Sequence, residues 1–235
     1  IYTPLISIQL TGNNIPSLKV NGLNRLEYLD CNNNNLQTLN LSSLGLLKTV
    51  LCGFNQITSL NLENTKKIID LRVEHNNIPQ LNVSQLADLK FLYTNDNNLT
   101  ALNISGLTNL LIVNCSVNQI QTLNATGCIS LSDIECNQNS INNLTLSGCT
   151  YLGLLKCSLN NLTTINFNGL SNIYFIDCSG NQFTTLDVRN CPLLNVMDAS
   201  FNPNLQTLII KNGSVAPQGI NIYQCPSLAT ICCDP

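Results

Sequence analysis

Charge, aromatic rings and long apolar stretches are all scarce in this chain of 235 residues. Only 10% of the residues are charged, 5% are aromatic, Trp is absent and His occurs once. The ten Lys and Arg residues are scattered and the net charge is −3, which disfavours nucleic acid and anionic membrane as partners because both reward clustered cations. No apolar run approaches the roughly 18 residues of a membrane-spanning segment, so we expect no membrane insertion.

Motifs of catalysis are equally scarce. The sequence contains no Gly-rich phosphate loop and no HExxH zinc motif. Its one histidine, His75, falls near Asp70, Glu74 and Asp96. A catalytic triad would also need a nucleophile beside the histidine, and the closest sulfur, that of Cys52, is expected to point into the core. We interpret His75 as a surface histidine, with a weak cation site formed with those carboxylates as the alternative. The sequence therefore predicts a protein that is not an enzyme and has no cofactor and no bound metal.

What the chain does contain is a strict repeat of 21 residues. Its marker is an asparagine that recurs ten times at this spacing, and a fixed period of this length is typical of a solenoid. We expect each marker side chain to bond backbone groups of its own and the adjacent coil that a turn leaves unpaired. These ladder asparagines are Asn13, Asn34, Asn55, Asn76, Asn97, Asn118, Asn139, Asn160, Asn181 and Asn202.

One coil follows the pattern LxxLxCxxNxLxxLxLxxL, as residues 26–44 show. Two short pieces of it, Leu29 to Cys31 and Leu39 to Leu41, alternate as strands do, and no segment has ten or more residues of helical periodicity. We therefore predict a parallel sheet on the concave side and short strands or 3₁₀ turns on the convex side. Parallel crossovers are almost always right-handed, so we expect right-handed winding.

The repeat resembles that of leucine-rich repeat proteins, of the bacterial class with 21-residue units, over residues 5 to about 210. The resemblance implies a mainly β leucine-rich repeat solenoid of the horseshoe class. It also implies a secreted or cell-surface bacterial protein of the type found in Bacteroidetes.

The two ends depart from the pattern. We expect ten repeats over residues 1–210, and a loop with a C-terminal capping half-repeat over 211–235. The residues Cys225, Leu228, Ile231 and Cys233 restore the spacing of half a repeat, which predicts one more strand. At the other end we expect either no cap or a short strand at 1–4.

The twelve cysteines follow the register of the repeat. Adjacent coils place their Cβ atoms about 4.8 Å apart, beyond the roughly 3.5–4.5 Å of a disulfide, so we predict free, buried thiols. A disulfide among Cys225, Cys232 and Cys233 remains an alternative, because the register there is weaker and Cys232 is expected to face outward. The cysteines in two inward positions are Cys31, Cys52, Cys115, Cys136, Cys157 and Cys178 in one, and Cys128, Cys149 and Cys191 in the other.

The outward positions of the concave strands vary far more than those of the convex side. They include large apolar residues with charges between them, and exposed groups of this kind are typical of protein interfaces. The alternative is that these side chains stabilise the sheet through cross-strand pairs. The predicted partner-binding residues are Leu51, Phe54, Arg72, His75, Phe91, Tyr93, Ile112, Val117, Glu135, Leu154, Lys156, Leu159, Phe175 and Phe201.

These observations predict a non-catalytic adhesion or recognition module that binds a protein, or less favourably a glycan, with its concave face. The convex side repeats Thr38, Asn40 and Ser42 in similar form from coil to coil. Such a regular array matches an ordered lattice or a glycan, which is the second hypothesis. A spacer within a larger surface protein is the third.

Overall fold

The computed structural model describes residues 5–211, 213 and 217–233. These residues contain only three-residue strands and no helix, hence no helix able to cross a membrane. The strands are β1 Ser7–Gln9, β2 Tyr28–Asp30, β3 Thr38–Asn40, β4 Thr49–Leu51, β5 Ser59–Asn61, β6 Asp70–Arg72, β7 Phe91–Tyr93, β8 Ala101–Asn103, β9 Ile112–Asn114, β10 Thr122–Asn124, β11 Asp133–Glu135, β12 Asn143–Thr145, β13 Leu154–Lys156, β14 Phe175–Asp177, β15 Thr185–Asp187, β16 Val196–Asp198, β17 Thr207–Ile209, β18 Gly219–Asn221 and β19 Thr230–Cys232.

One parallel sheet of 11 strands runs through the whole stack, and we call it the long sheet. It consists of β1, β2, β4, β6, β7, β9, β11, β13, β14, β16 and β18 in that order. Tyr28 pairs with Thr49 and Thr49 with Asp70, so the register is the 21-residue repeat. The middle residue of each strand faces the core and its two neighbours face out, as Leu29 does between Tyr28 and Asp30. The predicted mainly β solenoid with a continuous parallel sheet is confirmed.

The opposite side of each coil, which we call the back side, carries three separate sheets. These are β3–β5, β8–β10–β12 and β15–β17–β19. Within the described residues, the coils at 17–19, 80–82 and 164–166 have no back strand. The expected short strands are therefore present, but their array is interrupted.

Proline explains one of these gaps. In paired coils the residue before the back strand donates its N–H to the preceding coil, as Thr58 does to the Gln37 carbonyl at 2.9 Å. Pro79 occupies the same position and has no N–H to donate. Pro16 occupies it in the coil at 17–19, before which the described residues contain no coil that could accept such a bond. The third gap coincides with Phe167, the one phenyl ring in an inward column whose other buried members are Leu, Val, Ile or Ala.

The core is a stack of inward side chains, one layer from each coil. All seven apolar positions of the pattern are at most 1% exposed in the coil at 26–44. Each fully buried Leu contributes about 1.5–3 kcal/mol, but only when the adjacent coil covers it. The seven residues are Leu26, Leu29, Cys31, Leu36, Leu39, Leu41 and Leu44.

The ladder asparagines join each coil to the one before it, as the sequence predicts. The Asn55 amide nitrogen donates to the carbonyl oxygens of Cys31 at 3.0 Å in the preceding coil, and of Cys52 at 3.2 Å and Gly53 at 3.1 Å in its own. Its Oδ1 accepts the N–H of Leu36 at 3.0 Å. One side chain thus satisfies backbone groups of two coils that a turn would otherwise leave unpaired.

The end of the chain differs from the expected half-repeat. It forms two strands, since β18 extends the long sheet and β19 pairs with β17. Thr185 pairs with Thr207, 22 residues on, and Val196 with Gly219, 23 residues on, so one extra residue between β16 and β17 and another between β17 and β18 hide the register from a fixed-period reading. Cys225 therefore occupies the ladder position, with its Sγ 3.3 Å from the Ala199 carbonyl oxygen. The strand expected at 1–4 lies outside the described residues.

Candidate binding surface

Each coil leaves the long sheet through a residue with left-handed backbone. This residue directly precedes the ladder asparagine, and its φ is 52–55° in the eight non-glycine cases from Asn33 to Phe201. A left-handed conformation costs an L-residue roughly 1–2 kcal/mol, and for a β-branched residue such as Val117 it is an outlier. The conformation points the side chain away from the core and into solvent.

Five of these left-handed residues form what we call the turn ridge: Phe54, His75, Val117, Leu159 and Phe201. The four apolar ones are well exposed, Phe54 at 49%, Val117 at 39%, and Leu159 and Phe201 at 55%. The Phe54 and His75 rings stack with centroids 4.2 Å apart and an interplanar angle of 24°. All five were among the predicted binding residues, and the structure places them in one row along the carboxyl ends of the strands of the long sheet.

The back side has a left-handed turn of its own, but with different residues. There the positive φ falls on five glycines, with φ of 74–89°, and on Asn64 with φ of 64°. Glycine pays no Cβ penalty in this region and asparagine tolerates it. The glycines are Gly22, Gly106, Gly127, Gly148 and Gly169. Among the described residues, bulky side chains therefore occupy this backbone conformation on the long-sheet side alone.

The other predicted binding residues lie within the strands of the long sheet and point outward from it. They are half-buried, because each packs between its counterparts in the neighbouring strands. The exposed apolar run expected of Phe91, Tyr93, Ile112, Val117, Leu154, Leu159 and Phe175 is therefore present only in part, since Val117 and Leu159 are exposed and the other five are half-buried. The half-buried strand residues of the predicted set are Leu51, Arg72, Phe91, Tyr93, Ile112, Glu135, Leu154, Lys156 and Phe175.

Ion pairs fix the two cationic side chains of this face. The Arg72 Nε lies 3.0 Å from the Asp70 Oδ1, and the hydrogen bond to Asp70 raises the pKa of Arg72. The same guanidinium lies over the Tyr93 ring, 4.9 Å from its centroid. Further along, the Lys156 Nζ lies 2.9 Å from the Glu135 Oε1. Burial, and then the charge of Asp30, raise the pKa of the nearby Tyr28 phenol.

Of the three carboxylates considered with His75 as a cation site, Asp96 is the one that forms an ion pair with it among the described residues. Its Nε2 lies 3.6 Å from the Asp96 Oδ2, while Asp70 pairs with Arg72. In the part of the chain that the structure describes, no three His, Cys, Asp or Glu side chains are grouped so as to hold a metal ion. His75 instead contributes an exposed ring to the turn ridge.

Nine of the twelve cysteines are buried and are not joined in disulfides, as predicted. Burial raises the pKa of Cys31 and Cys115 to about 12, so these thiols stay protonated and unreactive near neutral pH. The Cys128 thiol also donates to the Ile104 carbonyl in the preceding coil at 3.0 Å, a role that sequence reasoning missed. The three tail cysteines are free as well, and Cys232 is half-buried and not fully outward.

Sequence reasoning also missed a group of exposed apolar residues along the amino ends of the strands of the long sheet. We call this group the entry edge. Its members lie shortly before β11, β13, β14 and β16 and are 49–69% exposed: Ile129, Tyr151, Tyr174 and Leu193. The sequence does indicate that this position faces solvent, because the position of Tyr151 holds the charged residues Arg25 and Lys67 in earlier coils.

The back side does not present the flat, unbroken array that the lattice hypothesis requires. Thr38 and Ser59 lie in one back sheet, whereas Thr122 lies in another. The coil at 80–82 without a back strand separates the two.

Comparison with protein-family models and with curated protein sequences gives no match. Among solved structures, the chain is similar to the functional domain of InlJ from Listeria monocytogenes, which includes a cysteine ladder. The identity is 26% and the TM-score 0.70, over 95% of this chain and 54% of that one, so the chain spans about half of that domain.

Two further similar structures share the fold at lower identity. The leucine-rich repeat domain of APL1B is 20% identical with a TM-score of 0.75, over 96% of this chain and 75% of that one. The LRIM1/APL1C complex matches at 19% identity and a TM-score of 0.68, over 90% of this chain and 49% of that one. The chain thus folds as a mainly β solenoid of about 11 turns, in the manner of its leucine-rich repeat neighbours.

Proposed function

We propose that this chain is a non-catalytic recognition module that binds a protein partner with the outer face of the long sheet and the adjoining turn ridge. The observation that carries the proposal is the occupancy of the left-handed turn. Phe54, Val117, Leu159 and Phe201 each hold a strained backbone conformation and an exposed apolar side chain. Strain that packing does not explain is commonly retained at functional sites.

The chemistry of this surface suits a protein partner. The turn ridge supplies apolar and aromatic groups, and the adjoining strands supply the Arg72–Tyr93 pair and the Glu135–Lys156 ion pair. Aromatic residues and Arg contribute most of the energy in protein interfaces. The similarity to APL1C, whose structure is that of a complex with LRIM1, supports a binding role.

The proposal includes the absence of catalysis. The one imidazole stacks on Phe54 and lies beside a carboxylate, and the nearest sulfur, that of Cys52, is fully buried with a pKa raised well above its usual value by burial. A nucleophile must be ionisable and reachable, and this thiol is neither.

We also propose a secreted or cell-surface location in a bacterium. The resemblance of the repeat to bacterial leucine-rich repeats supports it, as does the similarity to InlJ of Listeria monocytogenes. Fractionation of the producing cells with an antibody to this chain tests the location, and a signal confined to the cytosol would contradict it.

A set of three substitutions tests the binding face. Phe54→Ser, Leu159→Ser and Phe201→Ser together remove exposed apolar groups from the turn ridge without opening the core. We expect capture of the partner from surface extracts by the immobilised protein to fall by about tenfold or more, since ridge residues would act as hot spots. Quantitative mass spectrometry of the captured proteins, against the unmodified chain, is the measurement.

The entry edge supplies the matched control. Ile129→Ser, Tyr151→Ser and Leu193→Ser remove a similar amount of exposed apolar surface from the other edge of the long sheet. Partner capture should survive these changes. If the control set abolishes capture and the ridge set does not, the proposed face is wrong.

A further inference from the structure

The charged residues are divided unevenly between the long-sheet side and the rest of the molecule. The outward residues of the long sheet and the turn after each strand carry eight carboxylates and two cations, a formal charge of −6 with His75 neutral. The remaining residues therefore carry +3, because the chain as a whole carries −3. The eight are Asp30, Asp70, Glu74, Asp96, Asp133, Glu135, Asp177 and Asp198.

Both cationic side chains of this face form ion pairs with carboxylates of the same face. Arg72 pairs with Asp70 and Lys156 with Glu135, while Asp96 lies near His75. Across the described residues, no cationic group lies within 4.0 Å of the other five carboxylates. These five are Asp30, Glu74, Asp133, Asp177 and Asp198. The face therefore keeps an uncompensated negative charge.

This charge is interleaved with the apolar groups of the proposed binding face. Asp198 lies three residues before Phe201 in the same coil, and Glu74 directly precedes His75. One oxygen of Glu74 is buried without a hydrogen-bond partner among the described residues. A partner that covers this face must supply positive charge to the carboxylates and apolar surface to the turn ridge.

We propose that the partner presents a basic protein segment to this face, with Lys or Arg side chains alternating with apolar ones. The inference rests on the proposed function and adds the chemistry of the partner. Charge complementarity of this kind speeds encounter and rejects partners of the same sign, so acidic proteins and nucleic acid are excluded from the face.

Three probes test the preference directly. Two peptides with the same leucine positions, one with lysines and the other with glutamates between them, and a single-stranded RNA are titrated against the whole chain by fluorescence anisotropy. We expect the lysine peptide to bind at least about tenfold more tightly than the other two at low salt, and this advantage to shrink as salt is added. Equal or tighter binding of the glutamate peptide or the RNA would overturn the proposal.

Two pairs of isosteric substitutions locate the effect. Asp177→Asn with Asp198→Asn removes two charges from the long-sheet side, and Asp187→Asn with Glu63→Gln removes two from the back side. Asp177 and Asp187 play the same local role, since the Oδ1 of each accepts the N–H two residues on at 3.1 Å. We expect the first pair to weaken binding of the lysine peptide about tenfold and the second less than about twofold. Equal losses from both pairs would show an effect of net charge alone and overturn the proposal.

The ridge variant separates this inference from the function on which it rests. If Phe54→Ser, Leu159→Ser and Phe201→Ser weaken binding of the lysine peptide but the Asp177 and Asp198 changes do not, the face is right and the basic partner is wrong. If neither set weakens binding, both the face and the partner chemistry are wrong.

Discussion

Most coils have a left-handed residue in each of their two turns, and the two positions hold different kinds of residue. On the back side the position holds glycine, as in Gly106, Gly127 and Gly148, which adopt it without strain. On the long-sheet side it holds residues such as Phe54 and Val117, for which the conformation is costly. The backbone geometry is therefore shared, and the difference lies in what the side chains are required to do.

The two sides also differ in how completely they are paired. The long sheet has 11 strands without a gap, whereas the back side is divided into three sheets. The ladder asparagines stand beside the long sheet, where they bond two coils at once. The asparagines of the back strands act within one coil only, as Asn124 does when its Oδ1 accepts the Thr126 N–H at 3.0 Å. The back side thus tolerates Pro16 and Pro79, which the long sheet would not.

The largest expected effect is the loss of stability at alkaline pH, to which the buried cysteines of the long-sheet side and of the back side both contribute. Burial raises the pKa of Cys115 on the long-sheet side to about 12 and that of Cys128 on the back side to about 11, from an ordinary value of 9.0. A raised folded-state pKa means that stability is intact below pH 9 and is lost as the pH rises toward the folded value. The loss is roughly 1.4 kcal/mol per pH unit for each thiol, so we expect the whole chain to unfold within this range.

Urea unfolding at a series of pH values measures this loss. Each of Cys115→Ala and Cys128→Ala should remove the share of one thiol from the fall in stability above pH 9 and leave the shares of the other buried thiols in place. A chain whose stability is flat from pH 8 to 11 would show that the thiols are not protonated and buried as described.

Loss of a ladder asparagine should have the next largest effect. Asn160→Ala leaves the Ile141 N–H without its acceptor, at 2.9 Å in the intact chain, and leaves the Cys136 carbonyl with the Asn139 amide alone of the two that it accepts. We expect a loss of about 3–5 kcal/mol in unfolding free energy, because buried backbone groups are left unsatisfied. Asn124→Ala on the back side removes a single exposed bond and should cost about 0.5–1 kcal/mol. Equal losses from the two variants would refute the asymmetry between the two sides.

Exchange of residues between the two left-handed turns should have the smallest effect. Val117→Gly is expected to leave stability unchanged or raise it by up to about 1 kcal/mol, because released strain offsets the added freedom of the unfolded chain. Gly127→Val should cost about 1–2 kcal/mol, since a Cβ there meets only ordinary contacts and the backbone strain alone is added. Thermal unfolding measures both, and a large destabilisation by Val117→Gly would mean that the side chain is held by packing.

The spacing of Asn34, Leu29 and Cys31 sufficed to predict the coil, the long sheet, the ladder and the buried thiols, because each depends on a contact between identical positions one repeat apart. The identity of Cys225 as a ladder residue was not predictable from a fixed period, because one extra residue before β17 and another after it shift the register. The left-handed backbone at Phe54 was also missed, although Gly12 and Asn33 in the same column indicate it. The half-burial of Phe91 depends on its neighbours in two other coils, which its own repeat does not reveal.

The hydrogen bonds of a ladder asparagine reach one coil back and no further, as those of Asn181 to Cys157 and Leu162 show. No hydrogen bond of the ladder therefore depends on the total number of coils. A duplication or deletion of one whole 21-residue unit at a boundary such as Asn118 to Asn139 leaves every remaining partner in place. The array can therefore gain or lose whole coils while its fold stays the same. The length of partner surface that it can contact changes with the number of coils.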